Sequence, residues 1–551
     1  MLMRDICRLL GLYLFVFGLI LFVPLLLAAY YQFYGPAAAS HPQPHSTEAF
    51  GLTIVSTFAL SLLFYRMGRH ATGQFYRREG IALVVMIWLL TPAIAALPFL
   101  FSKTLENPLQ AYFETVSGFT TTGATTLQAK AYDPLTGQEI PIERTFCGVI
   151  NTTYRFWGNI DPVRDSETGA ILHEGIEAVG KALLFWRCMM QWLGGGGIIV
   201  LFVAILPALG MGGKILFQSE VPGPIKDALT PRITETAVVL WKVYLTLTAL
   251  EVAFLLFTNR EMTLYNAVLI TFSTLSTGGY SCYNQNIAAF HSVATETVII
   301  LFMILGSINF ALYYYGWSGK FFRLYDPELG LFLLLITLSS GLVCYFIWGT
   351  PNQLLSGEEG GLFTGFEAIR YGIFQTVSAM SSTGFSTNNY DIWPYRAQVF
   401  LLLVMFVGGM AGSTAGGIKI VRHYLLFRIT QYKVESLFRP ASVRLLRIGN
   451  REVDSHAAMM TLSFFICIIT AATFGTLFFI LDGIDPETAI GLVACMVNNI
   501  GLAFRMGGPT QSMAFLSPFG LLLSSALMIL GRLEFFVVLA VCIPAFWRTH
   551  S

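Results

Sequence analysis

The chain has 551 residues, 55% of them hydrophobic and only 12% charged, about half the charged fraction of a soluble domain. With a mean hydropathy of +0.65, that composition excludes a soluble enzyme, and 33 basic against 32 acidic residues leave no polycationic footprint for nucleic acid. The 51 glycines do not suit a plain bundle of apolar helices, because glycine is costly in a helix interior.

A membrane helix needs about 20 apolar residues, and ten stretches meet that length: 8–31, 50–67, 81–101, 179–209, 236–258, 293–317, 329–348, 395–422, 459–481 and 515–547. The first follows Arg4 and Arg8 but ends in Tyr30, Tyr31, Gln32, Phe33 and Tyr34. That is an aromatic interface, not a cleavage site, so it reads as a retained helix. Lys and Arg collect at the N-terminus, in alternate loops (Arg66, Arg69, Arg77, Arg78; Lys214, Lys226, Arg232; Lys320, Arg323) and across 419–451. The excess of basic residues predicts that these segments and both termini are cytoplasmic.

Four outer connections are too apolar to be plain loops and too short to span. Each reads as a re-entrant helix ending in a glycine turn. Residues 113–126 (FETVSGFTTTGATT) align without gaps on 374–387 (FQTVSAMSSTGFST), with seven identities and three Ser/Thr exchanges. A shorter copy is STGGYS at 276–281, and NNIGL at 498–502 is the most divergent. Gly123, Gly278, Gly384 and Gly501 are taken as four equivalent points of an internal repeat. Irregular backbone at membrane depth is tolerated only where protein buries it or where it lines a wet cavity. Four such turns around one axis would aim backbone carbonyls and the negative ends of short helices at it. Rings of carbonyls replace the hydration shell of a cation. No charged side chain falls in these turns. The candidate ion ligands are therefore the carbonyls of Thr121, Thr122 and Gly123; Ser276, Thr277 and Gly278; Ser382, Thr383 and Gly384; and Asn499, Ile500 and Gly501.

Further glycines interrupt the spans that follow. Gly194 to Gly197 are as consistent with close helix packing as with a break. Residues 408–417 differ: Gly408, Gly409, Gly412, Gly416 and Gly417 stand with two Ala, Ser413, Thr414 and Met410. Such a run cannot hold a stable helix, and broken helices recur on ion pathways. It is expected to form a gating loop beneath the turns. Arg532 and Glu534 lie beside the last break, with Lys242 and Glu251 in the fifth span. Arg532 either repels cations, holds the glycine loop shut through its carbonyls, or pairs structurally with Glu534. The basic stretch 419–451 is either a docking surface or orientation charge beside anionic lipid. The eight cysteines form no CxxC pair, and Cys147 with Cys282 is the one disulfide considered. His70, His173 and His423 are scattered, with no metal-spaced cluster and no nucleophile beside a base, so no enzyme is expected. The polar outer segment 128–177 is left without a role.

These turns, the GGMAGSTAGG break and the terminal GRLE resemble the Trk/Ktr/HKT superfamily of potassium transporters, specifically the bacterial Trk-type membrane subunit, over essentially the whole chain. The resemblance implies an all-α polytopic membrane protein: a two-helix N-terminal extension (1–78) and four repeats of span, pore helix, filter and span (79–215, 216–325, 326–450 and 451–551). It implies a homodimer in the inner membrane, potassium as the transported ion, no organic cofactor, and a cytoplasmic nucleotide-binding Trk regulatory subunit as partner. Superfamily members with Ser at the first turn glycine favour sodium; here that residue is Gly123. The fourth turn departs from the pattern, with Ile500 in place of Thr. The alternative is a proton- or sodium-coupled symporter, for which Glu251 and Glu534 are the available carboxylates.

Overall fold

The computed structural model describes residues 3–35, 45–71, 76–133, 135–146, 151–165, 168–197, 233–439, 447–448, 451–453 and 455–548. The protein is predominantly helical. Six of the ten expected spans are continuous helices long and apolar enough to cross a membrane: Met3–Phe33, Ser46–Met67, Arg77–Phe101, Glu235–Thr258, Pro327–Ile347 and His456–Leu481. In the first, Leu21 separates helix α1 (Met3–Ile20) from α2 (Phe22–Phe33). Helix α1 packs against α3 (Ser46–Met67), where Gly11 lets the Ser61 hydroxyl donate to its carbonyl at 2.7 Å.

The other four expected spans are not simple. The segment 293–317 is two helices, α4 (Val293–Ser307) and α5 (Phe310–Trp317), bent by 93°. Asn309 makes the corner, its side chain accepting from Ala311 N at 2.9 Å to start the second helix. The segment 395–422 is broken between α6 (Tyr395–Met405) and α7 (Ile420–Phe438) by the glycine-rich run. The last span ends its first helix, α8 (Pro518–Arg532), before Glu534 and Phe535, both at positive φ. Of 179–209, residues 179–197 lie among the described residues, most of them in helix α9 (Lys181–Gly195).

Four shorter helices sit inside the bundle: α10 (Pro108–Phe119), α11 (Leu264–Leu275), α12 (Gly365–Met380) and α13 (Pro486–Asn498). Their starts are written in the sequence. Asn107, Thr263, Thr364 and Asp485 each accept a backbone N–H in the first turn, and Thr364 with Glu367 completes a capping box. Pro108 and Pro486 occupy first-turn positions where no N–H is needed. Their inner faces are fully buried against aromatic walls that include Trp88, Phe99 and Trp186, and Trp186 Nε1 donates to Ala95 O at 3.1 Å.

The outer segment 128–177 forms small antiparallel hairpins, the longest pairing Ile142–Phe146 with Thr152–Phe156. This hairpin is pegged to α13: the Tyr154 hydroxyl donates to the Asp485 carboxylate and accepts from Asp485 N at 2.9 Å. Burial, then the bond to Asp485, raises the Tyr154 phenol well above its ordinary value. Cys147 lies outside the described residues, and Cys282 is a buried free thiol.

Candidate functional site

Each short helix ends in the same backbone device. Thr121 (φ 56°), Thr277 (53°), Ser382 (58°) and Asn499 (52°) are left-handed. That conformation costs a non-glycine residue about 1–2 kcal/mol. The next residue then returns its N–H to the helix: Thr122 to Ser117 O, Gly278 to Ser273 O, Thr383 to Ser378 O and Ile500 to Cys495 O, all at 2.8–3.0 Å. The chain turns sharply at the helix end, and the following residues carry their carbonyls past it.

This register corrects the sequence alignment at the second turn. The residue two places after the left-handed one is Gly123, Gly279, Gly384 and Gly501. Gly278 was the expected equivalent because Ser-Thr-Gly matches Ser-Thr-Gly by eye. It occupies instead the position of Thr122, Thr383 and Ile500. Gly123, Gly279 and Gly384 share positive φ (83°, 77° and 87°), whereas Gly501 does not.

The four turns meet. A Cβ placed on Gly384 would lie 2.7 Å from Gly501 Cα, and one on Gly501 would lie 3.1 Å from Thr122 O. A Cβ on Gly123 would run into Gly278 O, and one on Gly279 into Thr383 O. Turn 1 thus abuts turns 2 and 4, turn 2 abuts turn 3, and turn 3 abuts turn 4, with no room for side chains between them. Thr121, Thr122, Ser276, Thr277, Ser382, Thr383, Asn499 and Ile500 are all buried. A cavity of about 290 Å³, lined by Gly123, Gly279, Gly384 and Gly501, adjoins the ring on the side of the residues that follow the turns. Among the described residues no His, Cys, Asp or Glu group could hold a metal ion. The donors this ring offers are backbone carbonyls and hydroxyls, which suit a hard monovalent cation.

The glycine-rich run packs on the ring's other side, against the helix ends. Thr414, buried, donates to Leu275 O (2.8 Å) and Gly306 O (2.9 Å), and Gly416 N donates to the Ser382 hydroxyl. Met410 N donates to Ser307 O at 3.0 Å and Phe310 N to Gly412 O at 3.1 Å, tying the run to the bent span. Arg532 joins three parts, donating to Thr121 Oγ1 (3.2 Å), Thr414 O (3.1 Å) and Gly194 O (2.7 Å). Glu534 pairs with Arg422 at 2.6 Å. Gly408, Gly409 and Gly417 fold the base of the run on itself: Gly408 N donates to Ile418 O at 3.0 Å, and Ile420 N to Gly409 O at 3.2 Å. Ser413 Oγ donates to Met410 O at 2.6 Å.

Sequence reasoning misses the residues that clamp this loop. Glu328 Oε1 accepts from Ala411 N (2.9 Å) within the run and from Val421 N (3.3 Å) in the helix that follows it. Buried Lys419 donates to Ala415 O. It also misses Glu114 and Arg187, a fully buried ion pair at 2.7 Å behind the first turn. Its signal was present: Glu114 is the one charge in the aligned fourteen residues, and Arg187 lies inside an apolar span. Lys242 is exposed, whereas Glu251 is fully buried with no hydrogen-bond partner among the described residues.

A family model described as TrkH, cation transport protein, matches residues 164–338 and 363–548. The chain belongs to the TrkH family. It is 31% identical over 549 residues, 99% of both chains, to the Trk system potassium uptake protein TrkH of Salmonella typhimurium. It is 30% identical over 556 residues, again 99% of both, to the Trk system potassium uptake protein TrkG of Escherichia coli K12. The crystal structure of the potassium transporter TrkH from Vibrio parahaemolyticus aligns over all of both chains with a TM-score of 0.77 at 26% identity. With six continuous apolar helices, this TrkH-family chain is a multi-pass membrane protein, and its named relatives are transport proteins.

Proposed function

We propose that the chain takes up potassium through a gated pore whose selective element is the ring of four turns. The observation that carries this reading is the convergence of four left-handed helix ends, with neutral buried residues and no side chains between their glycines. The carbonyls of the residues at 121–123, 277–279, 382–384 and 499–501 replace the ion's water, and the C-terminal ends of α10, α11, α12 and α13 add negative potential there. The reading includes the fourfold repeat of span, pore helix, turn and span after a two-helix extension. The run 408–417 blocks the inner side, and Arg532 holds it closed by donating to Thr414 O. The names of the relatives supply the ion. The excess of Lys and Arg in alternate segments supports both termini lying on the cytoplasmic side, and the reading includes the inner membrane. A homodimer and a cytoplasmic nucleotide-binding regulatory subunit complete the assembly, the latter acting on the loop from below.

The test is cation flux in vesicles containing the purified protein. Gly123→Ser should lower the potassium-over-sodium ratio, and an unchanged ratio removes the filter assignment. The second reading, a coupled symporter, is favoured by one observation, the buried carboxyl of Glu251, which lies in an apolar span and has no hydrogen-bond partner within 3.5 Å among the described residues. A fixed proton-to-potassium stoichiometry lost in Glu251→Gln would select it. Unitary single-channel currents would select the pore.

A further inference from the structure

Behind the first two turns lies a buried bracket, built differently from the Arg505 pairs with Asp391 and Glu487 that tie the segments after turns 3 and 4. On α9, Arg187 and Gln191 stand one helical turn apart and face the same way. Both are buried. Arg187 Nε donates to Glu114 Oε1 at 2.8 Å, Nη1 to Ser281 O at 3.3 Å and Nη2 to Thr125 Oγ1 at 3.2 Å. Its guanidinium carbon lies 4.0 Å from the centroid of the Tyr280 ring. Glu114 accepts in addition from Thr126 N at 2.9 Å, and the Tyr280 hydroxyl donates to Glu114 O at 2.7 Å. Gln191 closes the frame: its Nε2 donates to Gly278 O at 2.7 Å, and its Oε1 accepts from Tyr280 N at 3.1 Å.

The charged pair therefore joins the strand leaving turn 1 to the strand leaving turn 2, and Gln191 fixes the peptide between Gly278 and Gly279. In the shared register the place of Glu114 is taken by Ile270, Gln375 and Leu492 in the other three helices, so only the first helix carries a carboxylate there. An isolated buried charge is expensive, and a pair kept at this depth needs a use that apolar packing would not serve. Carbonyls select between cations only while their spacing and number are held.

We propose that Glu114, Arg187 and Gln191 are positioning residues that set the ion selectivity of the ring by fixing the carbonyls of turns 1 and 2. This inference rests on the reading of the turns as the filter. None of the three touches the ion through its side chain; each acts on the peptides that do.

The test measures potassium-over-sodium flux ratios in vesicles for Gln191→Met, for the double variant Glu114→Gln/Arg187→Met, and for Gly123→Ser as the check on the filter itself. Gln191→Met keeps the volume and removes the donor. The double variant removes both charges together, because removing one leaves the other buried and unpaired. Membrane-inserted protein is quantified for each. The bracket predicts that both variants insert normally, still pass cations and lose selectivity by about tenfold, the scale of an ordinary coupling between sites. Arg187→Lys, which keeps the charge but not the fork, should fall between them and the parent. Unchanged ratios in both bracket variants, with a lowered ratio in Gly123→Ser, overturn the bracket and leave the filter standing. An unchanged ratio in Gly123→Ser overturns the filter and the bracket with it. Loss of all flux in inserted protein also overturns the proposal, since the residues would then be supports of the pore and not determinants of its choice.

Discussion

Replacing Arg532 by alanine removes the donor that links the glycine-rich run to the first turn and to α9. Its bond to Thr414 O reaches the run directly and sets the effect on gating. A hydrogen bond involving a charged group contributes about 1.5–3 kcal/mol. Arg532 is only partly buried, and solvent screening favours the lower end. A loss of about 1.5 kcal/mol shifts a two-state loop by about tenfold. The remaining ties of the run, through Thr414 Oγ1, Gly416 N and Met410 N, keep it near its place, so the result is a leakier pore and not an unfolded one. The assay is open probability in planar bilayers at symmetric potassium, with the amount of inserted protein matched. Arg532→Ala should raise open probability about tenfold, and Arg532→Lys should raise it less, since an ammonium cannot reach all three acceptors at once. Open probability at or below the parent value, in protein that inserts normally, refutes the claim that Arg532 holds the loop shut.

Other outcomes follow from the same contacts. Glu328→Leu removes the acceptor for Ala411 N and Val421 N and should raise flux in the same vesicles. It should also expose a cysteine placed at Ser413 to a water-soluble thiol reagent. Gly279→Ala meets the Thr383 carbonyl at a positive φ, whereas Gly278→Ala meets only the Gln191 side chain. The former should lower thermal stability by about 1–2 kcal/mol more than the latter, and equal effects would refute the register assigned to the second turn. Tyr154→Phe loses the pairing with Asp485 and should cost about 1 kcal/mol in thermal unfolding while leaving the ion ratio unchanged.

The short helices were legible because their signals are local: a capping residue, a proline in the first turn, an apolar run too short to span, and a glycine after it. The first and third copies were legible as a repeat because fourteen residues align without gaps. The second turn was misregistered for a physical reason. Identity of letters placed Gly278 on Gly384, but the backbone counts from the helix end. Helix α11 stops at Leu275, which makes Thr277 the left-handed residue. The breaks at 408–417 and near Asn309 follow from their glycines, but the backbone groups they free are satisfied by other segments. No local pattern shows those partners. Glu114 and Arg187 are 73 residues apart, and a pairing at that separation is decided by the fold.

The contacts also bear on how the ring and the loop work together. The left-handed residues stand at the helix ends, and three of their side chains are hydrogen-bonded across the structure. Thr121 Oγ1 accepts from Arg532, Ser382 Oγ accepts from Gly416 N, and the Asn499 amide donates to Met528 O and to Thr122 Oγ1. At the second turn, a Cβ placed on Gly306 would lie 3.5 Å from the Thr277 methyl. A side chain at a strained backbone position thus bonds directly to the loop at turn 3, through Ser382, and reaches it at turn 1 only through Arg532. Any movement that withdraws the run 408–417 breaks bonds to residues whose backbone shapes the ring. On the reading of the ring as filter and the run as gate, opening and ion binding are linked in both directions, as any two coupled equilibria must be. Ser382→Ala, which removes one such bond without adding bulk, should alter open probability and lower the potassium-over-sodium ratio together. A change in open probability at constant ratio would show that the loop moves without reaching the ring.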